Sequence, residues 1–410
     1  MSDMEKYLQI KEIGRVITGK TPSTEDDSNF DGKYPFITPS DIKSFDEKYL
    51  LETERTLSEQ GAKKLKNNIL PKDAICFVCI GSTIGKMCLT NTIAYSNQQI
   101  NSLIVNNNFD AHYMFYFLRY VKSYFQQLGA GTGSGKGIVN KATFEKSKVK
   151  VETNKNIQVK IADILSAYDN LIENNNKRIK LLEQMAENLY KEWFVRFRFP
   201  GYEDVEFEED IPSNWNYIQL SDIISFERGI SYSSAEINCD DGINLVNLKN
   251  IQSYGGFRRE GTKKYNGKYK DSQIVKTGDL ILGVTDMTQD RRTVGAVALM
   301  PVLDGTSVIS ADLVKIESQV PNQFLYCMCK YGFYSKYFSQ FANGANVLHL
   351  KPNTLLNKKI LLPTEDLIET FTKKVKPMIN IIDKINLQND ILIKQRDLLL
   401  PRLMSGKLEV

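Results

Sequence analysis

Histidine is nearly absent from this 410-residue chain, which has only His112 and His349. Neither falls at a zinc-ligand spacing, and two histidines leave no Ser-His-Asp arrangement or metal constellation that stands out. Cysteine is sparse as well, six in all, too few for a disulfide scaffold at this length, so a reducing cytoplasm is the expected compartment. Cys76 and Cys79 form a CxxC, but within the apolar run AICFVCI, which reads as a buried strand; Cys327 and Cys329 follow much later. Buried thiols are therefore expected in preference to a metal site. No apolar stretch approaches the ~20 residues that span a bilayer. The opening MSDMEKYLQI lacks the basic start and apolar run of a secretory signal, and no membrane association is expected. There is no Pro-Pro, which removes the Asn/Asp-Pro-Pro-aromatic motif that adenine methyltransferases place beside a flipped base. Neither sign of charge dominates: 53 Lys and Arg face 49 Asp and Glu, and the resulting +4 permits nucleic-acid binding without arguing for it.

One loop imitates a nucleotide site and fails. GAGTGSGKGIVNK at 129–141 would need glycine at Ala130 and Ser or Thr at Gly137 to be a P-loop. Ser134 and Lys136 break any G-x-G-x-x-G.

What the chain does have is core-forming residues and repetition. Hydrophobic residues make up 42%, with 20 Tyr and 20 Phe, enough for two or three compact domains. LQIKEIGRVITGK at 8–20 has a counterpart in IQLSDIISFERGI at 218–230. Leu8, Gln9, Ile10, Ile13 and Gly19 fall on Ile218, Gln219, Leu220, Ile223 and Gly229. PFITPSDI at 35–42 is echoed by NLVNLKNI at 244–251, and PKDAICF at 71–77 by TGDLILG at 277–283, with Asp73 on Asp279. YFQQLGAG at 124–131 matches YFSQFANG at 337–344. Matches in the same order along both halves indicate an internal duplication.

Each half ends in a long helical stretch. Ile161, Leu165, Tyr168, Ile172, Asn175, Ile179, Leu182, Ala186, Leu189 and Trp193 recur in steps of four and three, an a/d heptad seam. In phase with it run Phe371, Val375, Met378, Ile382, Ile385, Asn389, Leu392, Arg396, Leu399 and Leu403, in which Arg396 is the misfit. Two in-register seams favour pairing with each other, and an Asn on each suits a register fixed by buried polar groups. Pro377 should kink the second helix or mark its true start. The segments before the helices read as mixed α/β domains, and acidic PGYEDVEFEEDIPSNW at 200–215 as a linker.

Two globular parts, each followed by a helix of near-constant pattern, resemble the specificity subunit of type I restriction-modification systems. The resemblance covers essentially the whole chain. It is carried by ICFVCIGSTIGKM with SNQQI after it, the Gly-rich loop followed by a threonine, ENLYKEWFVRFRFPGYE, IPSNWNYIQLSDI and the terminal DLLLPRLMSGKLEV. It implies an α+β fold: two α/β target recognition domains, related by pseudo-two-fold duplication and separated by two long helices in an antiparallel coiled coil. The first recognition domain would occupy 1–153, the first helix 154–198, linker and second domain 199–363, and the second helix 364–410. It further implies a non-catalytic subunit in which each domain reads half of a split duplex-DNA target and the coiled coil sets the gap. Partners would be two modification (methyltransferase) subunits and the restriction (motor-nuclease) subunits. S-adenosylmethionine, ATP and Mg would sit on those partners, with no cofactor on this chain.

Reading bases needs forked donors and acceptors on loops, while Lys, Arg and hydroxyls hold phosphates. In the first half the candidates are Lys20, Thr21, Ser82, Thr83, Lys86, Asn97, Gln98, Gln99, Lys136, Asn140 and Lys141. In the second they are Arg228, Ser231, Tyr232, Thr285, Thr288, Arg291, Arg292, Asn346 and His349. Trp193, Phe194, Arg196, Phe197 and Arg198 suit either a docking surface for the modification subunits or packing on the second domain. Two rival functions are a methyltransferase fused to its own reading domain and a coiled-coil adaptor that binds only protein.

Overall fold

The computed structural model describes residues 5–43, 48–50, 52–131, 137–237 and 241–410. It divides into two compact units, Met1–Asn174 with Asn389–Val410, and Asn175–Gln388. Each unit contains one globular part and one stretch of each long helix. The first long helix is Lys155–Tyr190, continued by a wider π turn over Lys191–Val195, and the second is Glu365–Met404. The compact units thus divide both helices between them, where the sequence pattern treats each helix as its own segment.

In the first unit, a five-stranded sheet runs in the order Gly14–Thr18, Ile100–Val105, Ile75–Val78, Met87–Thr90, Tyr49–Leu50. A second sheet has Phe30–Ile37 between Arg55–Leu57 and Tyr95–Ser96. A two-strand ribbon joins Glu5–Gln9 to Lys148–Glu152. Strand Ile75–Val78 is buried on both faces, which is why ICFV is apolar without alternation. Ile75 and Phe77 enter one core with Phe125 and Phe144, while Cys76 and Val78 enter another, as a period of two requires. The CxxC run is thus interior, and burial pushes the Cys79 thiol up to about 11.

The second unit repeats this order. Its main sheet is Ile224–Arg228, Leu313–Ser318, Leu280–Gly283, Val297–Leu299. Its second sheet runs Lys263–Tyr265, Ile243–Val246, Ser307–Ile309, Ile274–Val275, and its ribbon joins Asn216–Gln219 to Lys359–Leu362. The duplication extends to single hydrogen bonds. Gly19 N–H donates to the Ile100 carbonyl, and Gly229 N–H to that of Leu313. A Cβ on Gly19 would lie 2.2 Å from the Asn97 carbonyl oxygen, and one on Gly229 2.1 Å from that of Ser310, so both positions exclude a side chain. One pairing from the sequence needs correction. Asp73 N–H donates to the Thr90 carbonyl as Gly278 N–H does to that of Met300, so Asp73 corresponds to Gly278, not to Asp279. Both have positive φ, +63° and +89°, and the turn geometry outweighs the shared Asp letter.

None of the twenty seam positions is exposed. In the first unit, Ile161, Ala162 and Leu165 share a core with Leu400, Leu403 and Met404. In the second, Ala186, Tyr190 and Trp193 share one with Phe371 and Val375. Early residues of one helix meet late residues of the other in each unit, so the helices run antiparallel. The misfit Arg396 is 1% exposed, its guanidinium 2.6 Å from the carboxylate of Asp169, itself 4% exposed. Asn175, in the second unit, donates to Gln388 at 3.4 Å.

One expectation changes. The second helix begins at Glu365 and runs through Pro377, so Pro377 does not mark its start. Glu365 and Asp366 in the first turn suit the positive end of the helix dipole and set the beginning instead. Segment 200–215 is largely exposed, with Pro212 and Trp215 buried near its end and Trp215 packed on the preceding Phe199 at 5.6 Å between ring centroids. Glu209 and Asp210, both at positive φ, turn a hairpin between Phe207–Glu208 and Ile211–Pro212.

Candidate nucleic-acid interface

In the first unit, backbone pairing gathers four loops at one end of the main sheet. Lys20 N–H donates to the Ser96 carbonyl, Cys79 N–H to Gln99, Val139 N–H to Cys79, and Gly81 N–H to Gly137. This brings Lys20, Thr21, Ser82, Thr83, Asn97, Gln98 and Gln99 beside the segment that leads to Asn140 and Lys141. The Thr21 hydroxyl donates to Gln98 Oε1 at 2.8 Å, and Asn97 Oδ1 accepts from Gln99 N–H at 3.1 Å. Lys20, Ser82, Gln98, Asn140 and Lys141 are exposed. Lys136 lies outside the described residues.

Some candidates serve the fold. Lys86 Nζ donates to the carbonyls of Ile42 and Lys43 at 3.1 and 3.2 Å. Asn140 Oδ1 accepts from Thr143 N–H at 2.9 Å and caps helix Lys141–Lys146. Lys141 lies 3.6 Å from Glu145 one turn on. Thr83 donates to the Ile80 carbonyl at 3.0 Å.

In the second unit the corresponding loops meet at the same end of the sheet. Val284 N–H donates to Asp312, Ala311 N–H to Ile230, and Leu350 N–H to Val284. Thr285 pairs with His349 across a short antiparallel ladder. Arg228, Ser231, Arg292, Asn346 and His349 are exposed, and Tyr232 is half-buried. Burial, then Asp312 nearby, raises the Tyr232 phenol. Thr285 is buried and its hydroxyl donates to Asp312 at 2.9 Å, so it braces the loop from inside. Arg291 Nη1 donates to the Ser339 carbonyl at 3.0 Å, and Arg292 pairs with Asp290 at 2.7 Å.

Sequence reasoning missed Asp286, the organiser of this loop. It is buried and accepts from Thr288 N–H and hydroxyl, each at 2.9 Å, and from Thr293 N–H at 2.7 Å. Burial alone would raise its carboxyl, but the hydrogen bonds from Thr293 and Thr288 outweigh that and hold it below its ordinary value. The local signal was the Asp-x-Thr of an Asx turn. The hydrogen-bond register also shows where the two units diverge. Lys86 N–H donates to the Thr83 carbonyl as Ala296 N–H does to that of Thr293, so Lys86 corresponds to Ala296. Residues 287–292 therefore stand where the first unit has Ser82 alone.

Trp193 and Phe194 are buried in the second unit's core, where Phe194 lies 4.9 Å from Phe371 and 5.9 Å from Trp215 by ring centroids. Phe197 packs on Trp215 at 5.2 Å, while Arg196 and Arg198 stay exposed beside Glu192. Of the two readings of this aromatic run, packing on the second domain holds. Among the described residues, no group of His, Cys, Asp and Glu could hold a metal ion, and no helix is long and apolar enough to cross a membrane.

Residues 1–184 match the family model described as the type I restriction modification DNA specificity domain. The chain is 28% identical over 427 residues to the type I restriction enzyme MjaIX specificity subunit of Methanocaldococcus jannaschii, covering 98% of this chain and 93% of that one. It is 23% identical to the MjaVIII specificity subunit of the same organism, covering 99% and 93%. Its fold resembles the crystal structure of a type I restriction-modification S subunit from M. genitalium, with a TM-score of 0.61 at 14% identity, covering 98% of this chain and 97% of that one.

Proposed function

We propose that the chain is a type I restriction-modification DNA specificity subunit, a non-catalytic role, and that its two units divide the work of recognition. Each unit reads one half of a bipartite, asymmetric duplex target through the gathered loops, entering the major groove with amide, guanidinium, imidazole and hydroxyl groups. One observation carries this: a single fold, repeated hydrogen bond by hydrogen bond, presents different side chains at the same loops. Ser82, Gln98 and Asn140 stand exposed in one unit, and Arg292, Asn346 and His349 in the other. Equivalent scaffolds with unlike tips suit two unlike half-sites. The paired helices set the length of the unread spacer and dock two modification subunits, which carry S-adenosylmethionine. Restriction subunits, with ATP and Mg, complete the assembly.

Salt separates this reading from that of a protein-binding adaptor. Affinity of the full chain for a duplex should fall linearly in log-log form as salt rises. Two neutralised phosphates already give about a tenfold loss between 50 and 200 mM. Absence of salt-dependent duplex binding, alone and with the modification subunit, would contradict it.

A further inference from the structure

The segment 287–292, extra relative to the first unit, is held rather than loose. On one side Asp286 grips Thr288 and Thr293, and on the other Arg291 is tied to the Ser339 carbonyl. Gln289 Nε2 donates to the Ala345 carbonyl at 2.8 Å, which joins the segment to the loop that bears Asn346. At the head of this braced segment Met287 is 71% exposed, an apolar chain on the loop cluster that also carries the exposed Arg292, Asn346 and His349. The backbone around it is therefore fixed while its side chain is left in water, with nothing among the described residues of its unit covering most of it. A major-groove floor has the complementary pattern: apolar C5 methyl groups of thymine set among acceptors that guanidinium, amide and imidazole groups bond. An unbranched thioether adapts to such a small apolar target without demanding one rotamer. The first unit has the hydroxyl of Ser82 at the equivalent tip, which offers no apolar contact of this kind.

We propose that Met287 is a specificity-determining residue of the second unit, contacting the C5 methyl of a thymine in the half-site that this unit reads. The inference rests on the DNA-reading role given above. The test uses the full chain with its modification subunit and duplexes carrying the methylated motif, with each thymine replaced in turn by uracil, which lacks only the methyl. For the parent protein, one uracil position should weaken binding about fourfold, the worth of one methyl-sized group removed from water. Met287→Ala should bind the thymine duplex more weakly and no longer distinguish thymine from uracil at that position, with the parent's melting temperature because the side chain is exposed. Motif-directed methylation with equal binding of thymine and uracil duplexes at every position overturns the Met287 contact and leaves the specificity role standing. So does a uracil effect that Met287→Ala retains unchanged. Absence of any motif-directed methylation overturns both.

Discussion

Replacing Arg396 by alanine removes the guanidinium 2.6 Å from a carboxylate that is 4% exposed, Asp169, and leaves that charge with the Tyr116 hydroxyl as a hydrogen-bond partner. Breaking a buried pair from one side costs about 3–5 kcal/mol, because the surviving charge keeps its desolvation and loses its compensation. Set against a domain stability of about 5–15 kcal/mol, that is a large fraction. Both tryptophans, Trp193 and Trp215, lie in the second unit, so fluorescence is a poor reporter of the first. Hydrogen exchange by mass spectrometry is better suited. Peptides covering Ile75–Val78 and Ile100–Val105, the central strands of the first unit, should lose about two to four orders of magnitude in protection. A triple variant, Tyr116→Phe/Asp169→Leu/Arg396→Leu, removes the hydroxyl, the anion and the cation together. It should lie within about 1 kcal/mol of the parent or above it, since apolar replacement of a buried pair is often neutral or stabilising. A loss below about 1 kcal/mol for Arg396→Ala, or a triple variant as unstable as the single one, would refute the reasoning.

Gly229→Ala should lower stability by about 1–3 kcal/mol, because its Cβ meets the Ser310 carbonyl at 2.1 Å, and Gly19→Ala should do the same. Gly131→Ala, whose Cβ meets nothing nearer than 3.8 Å among the described residues, serves as the control, and thermal unfolding compares the three. The Asp286 carboxyl is held below its ordinary value of 3.8, so its contribution is fully present above that value and is lost as pH falls through the lowered one. Exchange protection over residues 286–294, corrected for intrinsic rates, should stay level from pH 7 to pH 5 and fall only below 3.8; a collapse above pH 5 would count against the Asx-turn account. Deleting one facing heptad from each long helix should preserve folding and shorten the tolerated gap between half-sites by about three base pairs, from ~1.5 Å per residue and ~3.4 Å per base pair. Methylated motifs with an unchanged gap would remove the helices from that role.

The long helices and the repeat were the most legible features, because heptad spacing and a Gly that must meet a carbonyl leave direct marks in the sequence. Register within the loops was less legible. Asp73 and Asp279 share a letter, yet the turn demands positive φ, which Asp73 and Gly278 both supply. Side-chain commitments were hidden as well. Lys86, Thr285 and Arg291 have the chemistry of DNA contacts, but the fold spends them on the carbonyls of Ile42, Lys43 and Ser339 and on the Asp312 carboxylate. Only the three-dimensional path of the chain reveals those partners. Arg396 looked like a flaw in the seam because its partner, Asp169, lies off the a/d positions on the other helix, where a one-dimensional pattern does not search.

The most direct measurement is genome-wide mapping of adenine methylation in cells that express the modification subunit with and without this chain. The account predicts methylation at one split, asymmetric motif that disappears when the chain is omitted. Methylation that is indifferent to its presence would contradict the claim that this subunit chooses the site.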